Sequence, residues 1–222
     1  LKKYFPVAKK QARNKIKKVA RFAQNQPRIK LINRNLEQVQ LIVGFRTMPS
    51  TDKRFIALQI LGNILGGTMS SRLFLQIRER MGLCYFIKAE VNGYEDASSF
   101  AVHSGLNKDK IYEALSAIKE ELDRIKRDGV SQDELQKAKD NIRGRLILRL
   151  ESPTSYLNFL AAQELLNKKI KDRQMTLDKL DKITINQINL LAKEVIDWQK
   201  SNLAIIGPFE STNKFLKILN KN

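Results

Sequence analysis

The sequence predicts an α+β domain in which a mainly antiparallel sheet has helices packed on one of its faces. Runs with the two-residue period of strands occur early in the chain and once near its end, whereas segments with helical periodicity fill the middle. The chain shows no internal repeat and no regular alternation of strands and helices, which argues against a wrap of parallel βαβ units. One sheet with a single helical layer is therefore the expected architecture.

Size and composition indicate a globular protein. The 222 residues are enough for one full hydrophobic core, with or without a connecting arm. Hydrophobic residues make up 42% of the chain, but no apolar run approaches the ~18 residues of a membrane-spanning helix, so we expect no membrane partner. The first residues also lack the apolar stretch of a secretory signal. The single cysteine, Cys84, is compatible with a reducing compartment, which makes the cytoplasm the expected location.

The chain is strongly basic, with a formal net charge of +18. Residues 1–26 are interpreted as a basic connector that can be helical from Val7 to Phe22, and residues 27–222 as the folded domain. A basic run of this kind can bind nucleic acid, but no RNA-binding aromatic motif, zinc finger or helix-turn-helix pattern accompanies it. A solvated arm is therefore favoured. The basic residues concerned, with no acid among them, are Lys2, Lys3, Lys9, Lys10, Arg13, Lys15, Lys17, Lys18 and Arg21.

Two strands are predicted at the start of the domain. The run from Pro27 to Asn33 is extended in character, and apolar residues at every second position from Val39 to Phe45 predict a half-buried strand. Asn33-Arg34-Asn35 has the composition of a turn, so we expect the two strands to form a hairpin.

Two helices are predicted next. The first, from Phe55 to Leu65, is apolar nearly all round, as in a buried helix, and Gly66-Gly67 ends it. Ser70-Ser71 can cap a second, short helix, which carries Arg78 near its end and turns Leu73, Phe74 and Ile77 inward.

Gly82 stops the short helix, and an aromatic-rich strand starts around Cys84 and Tyr85. Cys84 is expected to be a small buried strand residue. Tyr85, Ile87, Ala89 and Val91 are predicted to share one face of this strand. A turn region at residues 92–96 leads to a second strand whose shared face carries Phe100, Val102 and Ser104.

The rest of the chain is mostly helical. Capping residues, glycines and prolines predict one helix from a cap at Asn107 or Asp109 to a stop at Gly129, and a second from the capping box Ser131–Glu134 to about Leu150. Further helices are predicted to begin at Ser152-Pro153, at Thr184–Gln187 and, with basic character, at about Ser211. A last buried strand is predicted at Leu203–Ile206. In the first of these helices, Glu120 and Glu121 are expected to face water.

The stretch from Gly66 to Tyr85 resembles the signature of the second domain of the zinc peptidases of the insulinase and mitochondrial-processing-peptidase family, M16. The resemblance extends more weakly over residues 27–206 and implies the LuxS/MPP-like metallohydrolase fold, with this chain as the C-terminal, inactive half of such a peptidase. The matching positions are Gly66, Gly67, Ser71, Leu73, Phe74, Arg78, Gly82, Leu83 and Tyr85.

Histidine content limits the chemistry of this chain. The inverted H-x-x-E-H zinc motif of M16 peptidases needs two imidazoles on one helical face, and His103 is the chain's only histidine. The zinc, its ligands and the general base would then come from another domain or chain, so this chain is not expected to be active alone. A triad of His103 with Ser104 and Asp96 is formally possible, but no nucleophile elbow supports it.

The resemblance implies that Arg78 and Tyr85 are the residues that this half contributes to the active site. A phenol can donate a hydrogen bond to the carbonyl oxygen that gains charge during peptide hydrolysis, and a guanidinium can bind a substrate carbonyl nearby. Gly82 and Leu83, where the chain turns from helix to strand, are expected to border the substrate. Without the resemblance, Arg78 would be one of many surface arginines and Tyr85 an aromatic residue of the core.

The partners implied are the zinc-binding N-terminal half, a peptide substrate added to a sheet edge, and a dimer of chains. Two alternatives remain open: a non-catalytic assembly subunit with the same fold, and a nucleic-acid-binding module that uses residues 2–21. The net charge of +18 argues against substrates as basic as mitochondrial presequences, because like charges repel.

Overall fold

A computed structural model describes residues 23–167, 170 and 172–221. The strands β1 to β5 are Arg28–Asn33, Gln38–Thr47, Cys84–Gly93, Ser98–Asn107 and Ser201–Gly207. The helices α1 to α7 are Phe55–Gly66, Ile111–Asp128, Gln132–Glu151, Pro153–Asn167, Arg173–Asp181, Ile185–Val195 and Asn213–Asn220. A short π-helix, Phe74–Arg80, lies between α1 and β3 and is called the site helix below.

The five strands form one sheet in the order β1-β5-β2-β4-β3, with antiparallel pairing everywhere except between β1 and β5. The helices cover one face of this sheet. Along β2, Val39, Leu41, Val43 and Phe45 are buried in the common core, whereas Ile42 between them is 37% exposed on the other face. The predicted α+β architecture is therefore confirmed.

The predicted hairpin of β1 and β2 is wrong. β1 runs parallel to β5, from Arg28 opposite Asn202 to Asn33 opposite Gly207, and β5 lies between β1 and β2. The more apolar β5 takes the inner position, and β1, which carries Arg28 and Lys30, takes the edge, where charged side chains are tolerated. This pairing joins strands far apart in sequence, so local turn composition did not reveal it.

Most of the predicted helix limits are confirmed. Capping boxes open α3 at Ser131 and α6 at Thr184, and Gly129 ends α2 with a φ of +74°. Helix α5 was not predicted. The helix expected from Val7 to Phe22 lies outside the described residues, and within the described part of the chain no helix has the length and apolar character needed to cross a bilayer.

Two predicted polar positions are corrected. Glu121 is 2% exposed instead of facing water, and its carboxylate pairs with the Arg124 guanidinium at 2.6 Å, which offsets the cost of burying the charge. Ser71 does not cap the site helix with its side chain. Its hydroxyl donates to the Thr68 carbonyl at 2.6 Å, so the turn after α1 is held together before the site helix begins.

Candidate active site

Close packing of α1 against β3 sets the position of the chain before the site helix. A Cβ atom at Gly66 would lie 2.3 Å from the Ala89 nitrogen, so only glycine lets the end of α1 approach the strand this closely. The following turn is held from α3, where the Arg145 guanidinium donates to the Gly67 carbonyl at 2.8 Å. The Gly-Gly pair of the sequence signature therefore serves a packing purpose.

The site helix is fixed by its apolar side and by the way it ends. Leu73 and Ile77 are fully buried, as the sequence predicted. At its end the Gly82 N–H donates to the Arg78 carbonyl at 3.1 Å, and the Leu83 N–H donates to the Ile77 carbonyl at 3.0 Å. Gly82 has a φ of +60°, the left-handed conformation that commonly ends helices. The chain thereby reverses from helix into β3 within three residues.

Arg78 lies on the exposed side of the site helix. Its guanidinium carbon lies 4.8 Å from the centre of the Phe74 ring, one turn earlier, in a cation–π contact. No carboxylate among the described residues forms an ion pair with it, although the chain has many such pairs elsewhere. The guanidinium donors of Arg78 therefore remain available to a ligand.

Tyr85 is exposed because it occupies a β-bulge. Cys84 pairs with Leu106 and Phe86 pairs with Gly105, so Tyr85 is an extra residue in β3 with no partner in β4. In a regular strand, residues an odd number of positions apart face opposite sides of the sheet. The bulge lets both Cys84 and Ile87 contact the core in spite of their odd separation. Tyr85 is consequently 57% exposed, and the prediction that it shares the face of Ile87 is wrong, as is its interpretation as a core aromatic residue.

Gly82 and Leu83 differ in their access to solvent. Gly82 is exposed, and a Cβ atom built there would meet nothing within 4 Å. Leu83 is 2% exposed and its side chain belongs to the core, so any contact of Leu83 with a substrate falls to its backbone.

An ion pair that the sequence did not reveal anchors the start of the site helix. The Arg72 guanidinium donates to both carboxylate oxygens of Glu134, at 2.5 and 2.8 Å, and to the Gly129 carbonyl at 2.8 Å. Burial raises the pKa of Glu134, but hydrogen bonds from Arg72 and from the Ser131 backbone outweigh it and lower the pKa to about 2. The capping box at Ser131 revealed Glu134, but nothing local connects Glu134 to Arg72, 62 residues earlier.

The other residues considered for chemistry have structural surroundings. Burial raises the pKa of the Cys84 thiol to about 11, against a smaller lowering by Arg78, which leaves it protonated and a poor nucleophile at neutral pH.

The possible triad around His103 does not form. His103 contacts the Gln40 side chain at 3.0 Å and the Phe86 ring. The neighbouring Ser104 points to the opposite face, where its buried hydroxyl donates to the Leu41 carbonyl. Alternation along β4 thus keeps the serine hydroxyl away from the imidazole.

A metal site does not fit the described residues. They contain no group of three or more His, Cys, Asp or Glu side chains placed to hold a metal ion. The described residues instead place the exposed phenol of Tyr85 and the exposed guanidinium of Arg78 on either side of the helix-to-strand turn.

Comparison with known proteins identifies the family to which these features belong. The model of the peptidase M16 inactive domain matches residues 1–142. The chain belongs to the M16 peptidase family. Its relatives include the uncharacterized zinc protease YmxG of Bacillus subtilis, 33% identical over 172 residues, and an uncharacterized zinc protease of Streptomyces coelicolor, 30% identical over 187 residues.

The M16 domain covers less than half of these relatives. The two matches span 78% and 82% of this chain but 42% and 40% of the B. subtilis and S. coelicolor proteins.

Solved structures show the same fold. A protease from Helicobacter pylori matches with a TM-score of 0.76 at 20% identity, over 83% of this chain and 45% of that one. A peptidase M16 inactive domain from Pseudomonas fluorescens matches with a TM-score of 0.76 at 19% identity, over 85% of this chain and 45% of that one.

Proposed function

We propose that this M16 domain is the half of a zinc peptidase that does not bind the metal, and that it contributes Tyr85 and Arg78 to an active site completed by the N-terminal half. The observation that carries the proposal is the bulge in β3, which exposes a tyrosine just beyond the turn that follows Arg78. Bulges are often found next to active sites, where they redirect a side chain.

The two side chains suit the charge that develops during peptide hydrolysis. The Tyr85 phenol would donate a hydrogen bond to the carbonyl oxygen of the scissile bond as that oxygen gains negative charge. The Arg78 guanidinium would donate to a neighbouring substrate carbonyl and hold the peptide in register. Zinc, its ligands and the general base are assigned to the N-terminal half.

The position of Tyr85 also supports a mode of peptide binding. Among the described residues β3 is an edge strand that pairs only with β4, so its outer backbone groups are available to a further strand. An extended peptide added along β3 would have its backbone held by hydrogen bonds close to Tyr85 and Arg78.

Reconstitution of hydrolysis tests the proposal. A quenched fluorescent peptide would be incubated with this chain, with an N-terminal M16 half that carries the zinc motif, with both together, and with both plus a metal chelator. We expect cleavage only when both halves and the metal are present. Cleavage by this chain alone would contradict the division of roles between the halves.

A second function follows if the two halves bind each other but cleave no peptide. This chain would then be a non-catalytic assembly subunit. A nucleic-acid-binding role would rest on residues 2–21, which lie outside the described residues, and would require binding that weakens steeply with salt.

A further inference from the structure

Strand β3 carries two opposite charges on the face of the sheet that points away from the helices. Lys88 and Glu90 alternate with Ile87 and Ala89, which are buried in the core, so both charged side chains lie on the other face. The Lys88 Nζ atom lies 2.6 Å from the Glu90 Oε1 atom, and the two side chains are 46% and 45% exposed. The pair is therefore an exposed feature of the strand along which the peptide is proposed to bind.

The neighbouring strand offers neither charge an opposite charge. In the register of β3 with β4, Lys88 stands opposite His103 and Glu90 stands opposite Ala101. On its other side, β3 has no partner strand in the part of the chain that the structure describes. A strand added at that edge would bring its own side chains directly beside both charges, at the short separation of cross-strand pairs.

The order of the two charges distinguishes them from an ordinary charged edge. Charged residues on edge strands, lysine above all, commonly prevent pairing with other chains. Lys88 and Glu90 together have no net charge, so they do not repel peptides of either sign as a group. They instead present one positive and one negative position in a fixed order, which favours some peptide sequences and disfavours others.

The two charges also lie at set distances from the candidate catalytic tyrosine. Lys88 and Glu90 follow Tyr85 by three and five positions, which corresponds to about 10 and 17 Å along a strand. When the scissile bond of an added peptide lies beside Tyr85, the third and fifth peptide residues from that bond lie beside Lys88 and Glu90. Directly opposite residues of a strand pair point to the same face, so these peptide side chains meet the two charges.

We propose that Lys88 and Glu90 are specificity-determining residues, which select peptides with an acidic residue three positions and a basic residue five positions from the scissile bond. This inference rests on the proposed function, in which the peptide is added along β3, and it specifies the class of substrate. Opposite charges directly across a strand pair stabilise it, and like charges destabilise it. The selected peptide exchanges the Lys88–Glu90 contact for two cross-strand ion pairs.

Two quenched fluorescent peptides that differ only in the order of two charges test the proposal in the two-half enzyme. One carries aspartate as the third and lysine as the fifth residue from the scissile bond, and the other carries them in reverse. Each peptide is made with the charges on the amino side and on the carboxyl side of that bond, because the peptide can lie in either direction along β3. On one side, we expect the wild type to cleave the aspartate-third peptide with a kcat/KM higher by on the order of fivefold.

Reversing the charges of the protein should invert this preference. The double variant Lys88→Glu with Glu90→Lys keeps an ion pair on β3, so the strand retains its surface contact while the order of its charges changes. Glu120→Arg with Arg127→Glu is the matched control, since this exposed ion pair lies on α2. We expect the control to keep the preference of the wild type and the β3 variant to prefer the lysine-third peptide.

Fluorescence anisotropy of the same peptides, bound to the two-half complex, separates this inference from the proposed function. Cleavage with no preference for either order, or a preference that the β3 variant leaves unchanged, would overturn the selection by Lys88 and Glu90 and retain the peptidase. Binding that prefers one order and inverts in the β3 variant, without cleavage, would support the selection and contradict the proposed function. Neither cleavage nor order-dependent binding would contradict both.

Discussion

A single backbone angle at Gly82 determines how the site helix meets β3. The φ of +60° costs an ordinary L-residue free energy, although the space around a new Cβ atom is empty. Any penalty of substitution there is therefore conformational and not steric.

Replacing Gly82 with alanine should destabilise the domain by about 1–2 kcal/mol. Gly144 is the matched control, since it lies within α3 and an added Cβ atom also meets nothing there. Gly144→Ala should stabilise the domain by up to about 1 kcal/mol, because alanine favours the helix. Chemical denaturation measures both, and changes of the same sign would contradict the conformational explanation.

Arg78 should act on substrate binding more than on the chemical step. Arg78→Ala in the two-half enzyme should raise KM by on the order of tenfold with little change in kcat, because a charge-assisted hydrogen bond to the substrate is lost in ground and transition states alike. Arg80→Ala is the control, since Arg80 is an exposed arginine two residues further along the site helix, where it donates a hydrogen bond to the Gln76 side chain. Steady-state kinetics with equal effects for the two variants would remove Arg78 from the site.

At the scale of elements, the Arg72–Glu134 ion pair joins the start of the site helix to the start of α3. Both side chains are largely buried, with 16% and 27% of their surfaces exposed. Glu134 also completes the capping box of α3. One carboxylate therefore fixes two helices relative to each other.

Glu134→Gln should reduce the free energy of unfolding by about 1–3 kcal/mol at neutral pH, because the Arg72 charge loses its partner. The folded-state pKa of Glu134 is about 2, below the ordinary glutamate pKa of 4.5, so the pair stabilises the protein fully above pH 4.5. This stability is lost as the pH falls from about 4.5 towards 2.

Urea unfolding as a function of pH measures this effect. The wild type should lose stability more steeply than Glu134→Gln over the acidic range, whereas Asp133→Asn should differ little from the wild type, because Asp133 pairs with Lys137 on the surface. If the free energy of unfolding fell equally for the wild type and Glu134→Gln as the pH is lowered, the ion pair would not contribute as stated.

The sequence predicted elements where their signals are local. The capping residues Ser131 and Thr184 and the stops at Gly82 and Gly129 act within a few positions of themselves. The pairing of β1 with β5 and of Arg72 with Glu134 depends on residues far apart in the chain, which no local pattern encodes.

The candidate site was predicted only in part, for a related reason. The family pattern indicated Arg78 and Tyr85, but strict alternation placed Tyr85 beside Ile87. A bulge inserts one residue into the ladder, and its position depends on how β3 pairs with β4. The exposure of Tyr85, on which its proposed role depends, therefore became visible only in the folded strand pair.

At the scale of the whole molecule, we propose that one half of an M16 peptidase holds the metal and that the other half contributes a phenol and a guanidinium. The described residues of this half hold no metal-binding cluster, whereas Tyr85 and Arg78 are exposed beside an edge strand. Function would then require a complex, and the catalytic role can be measured only in the assembled halves.

Hydrolysis by the two-half enzyme carrying Tyr85→Phe tests the central claim most directly. This change removes one hydroxyl and should lower kcat by on the order of tenfold or more with little change in KM, because the lost hydrogen bond forms mainly in the transition state. Tyr94→Phe is the control, a tyrosine 62% exposed in the turn after β3. A Tyr85→Phe enzyme as active as the control would contradict the assignment of Tyr85 to catalysis.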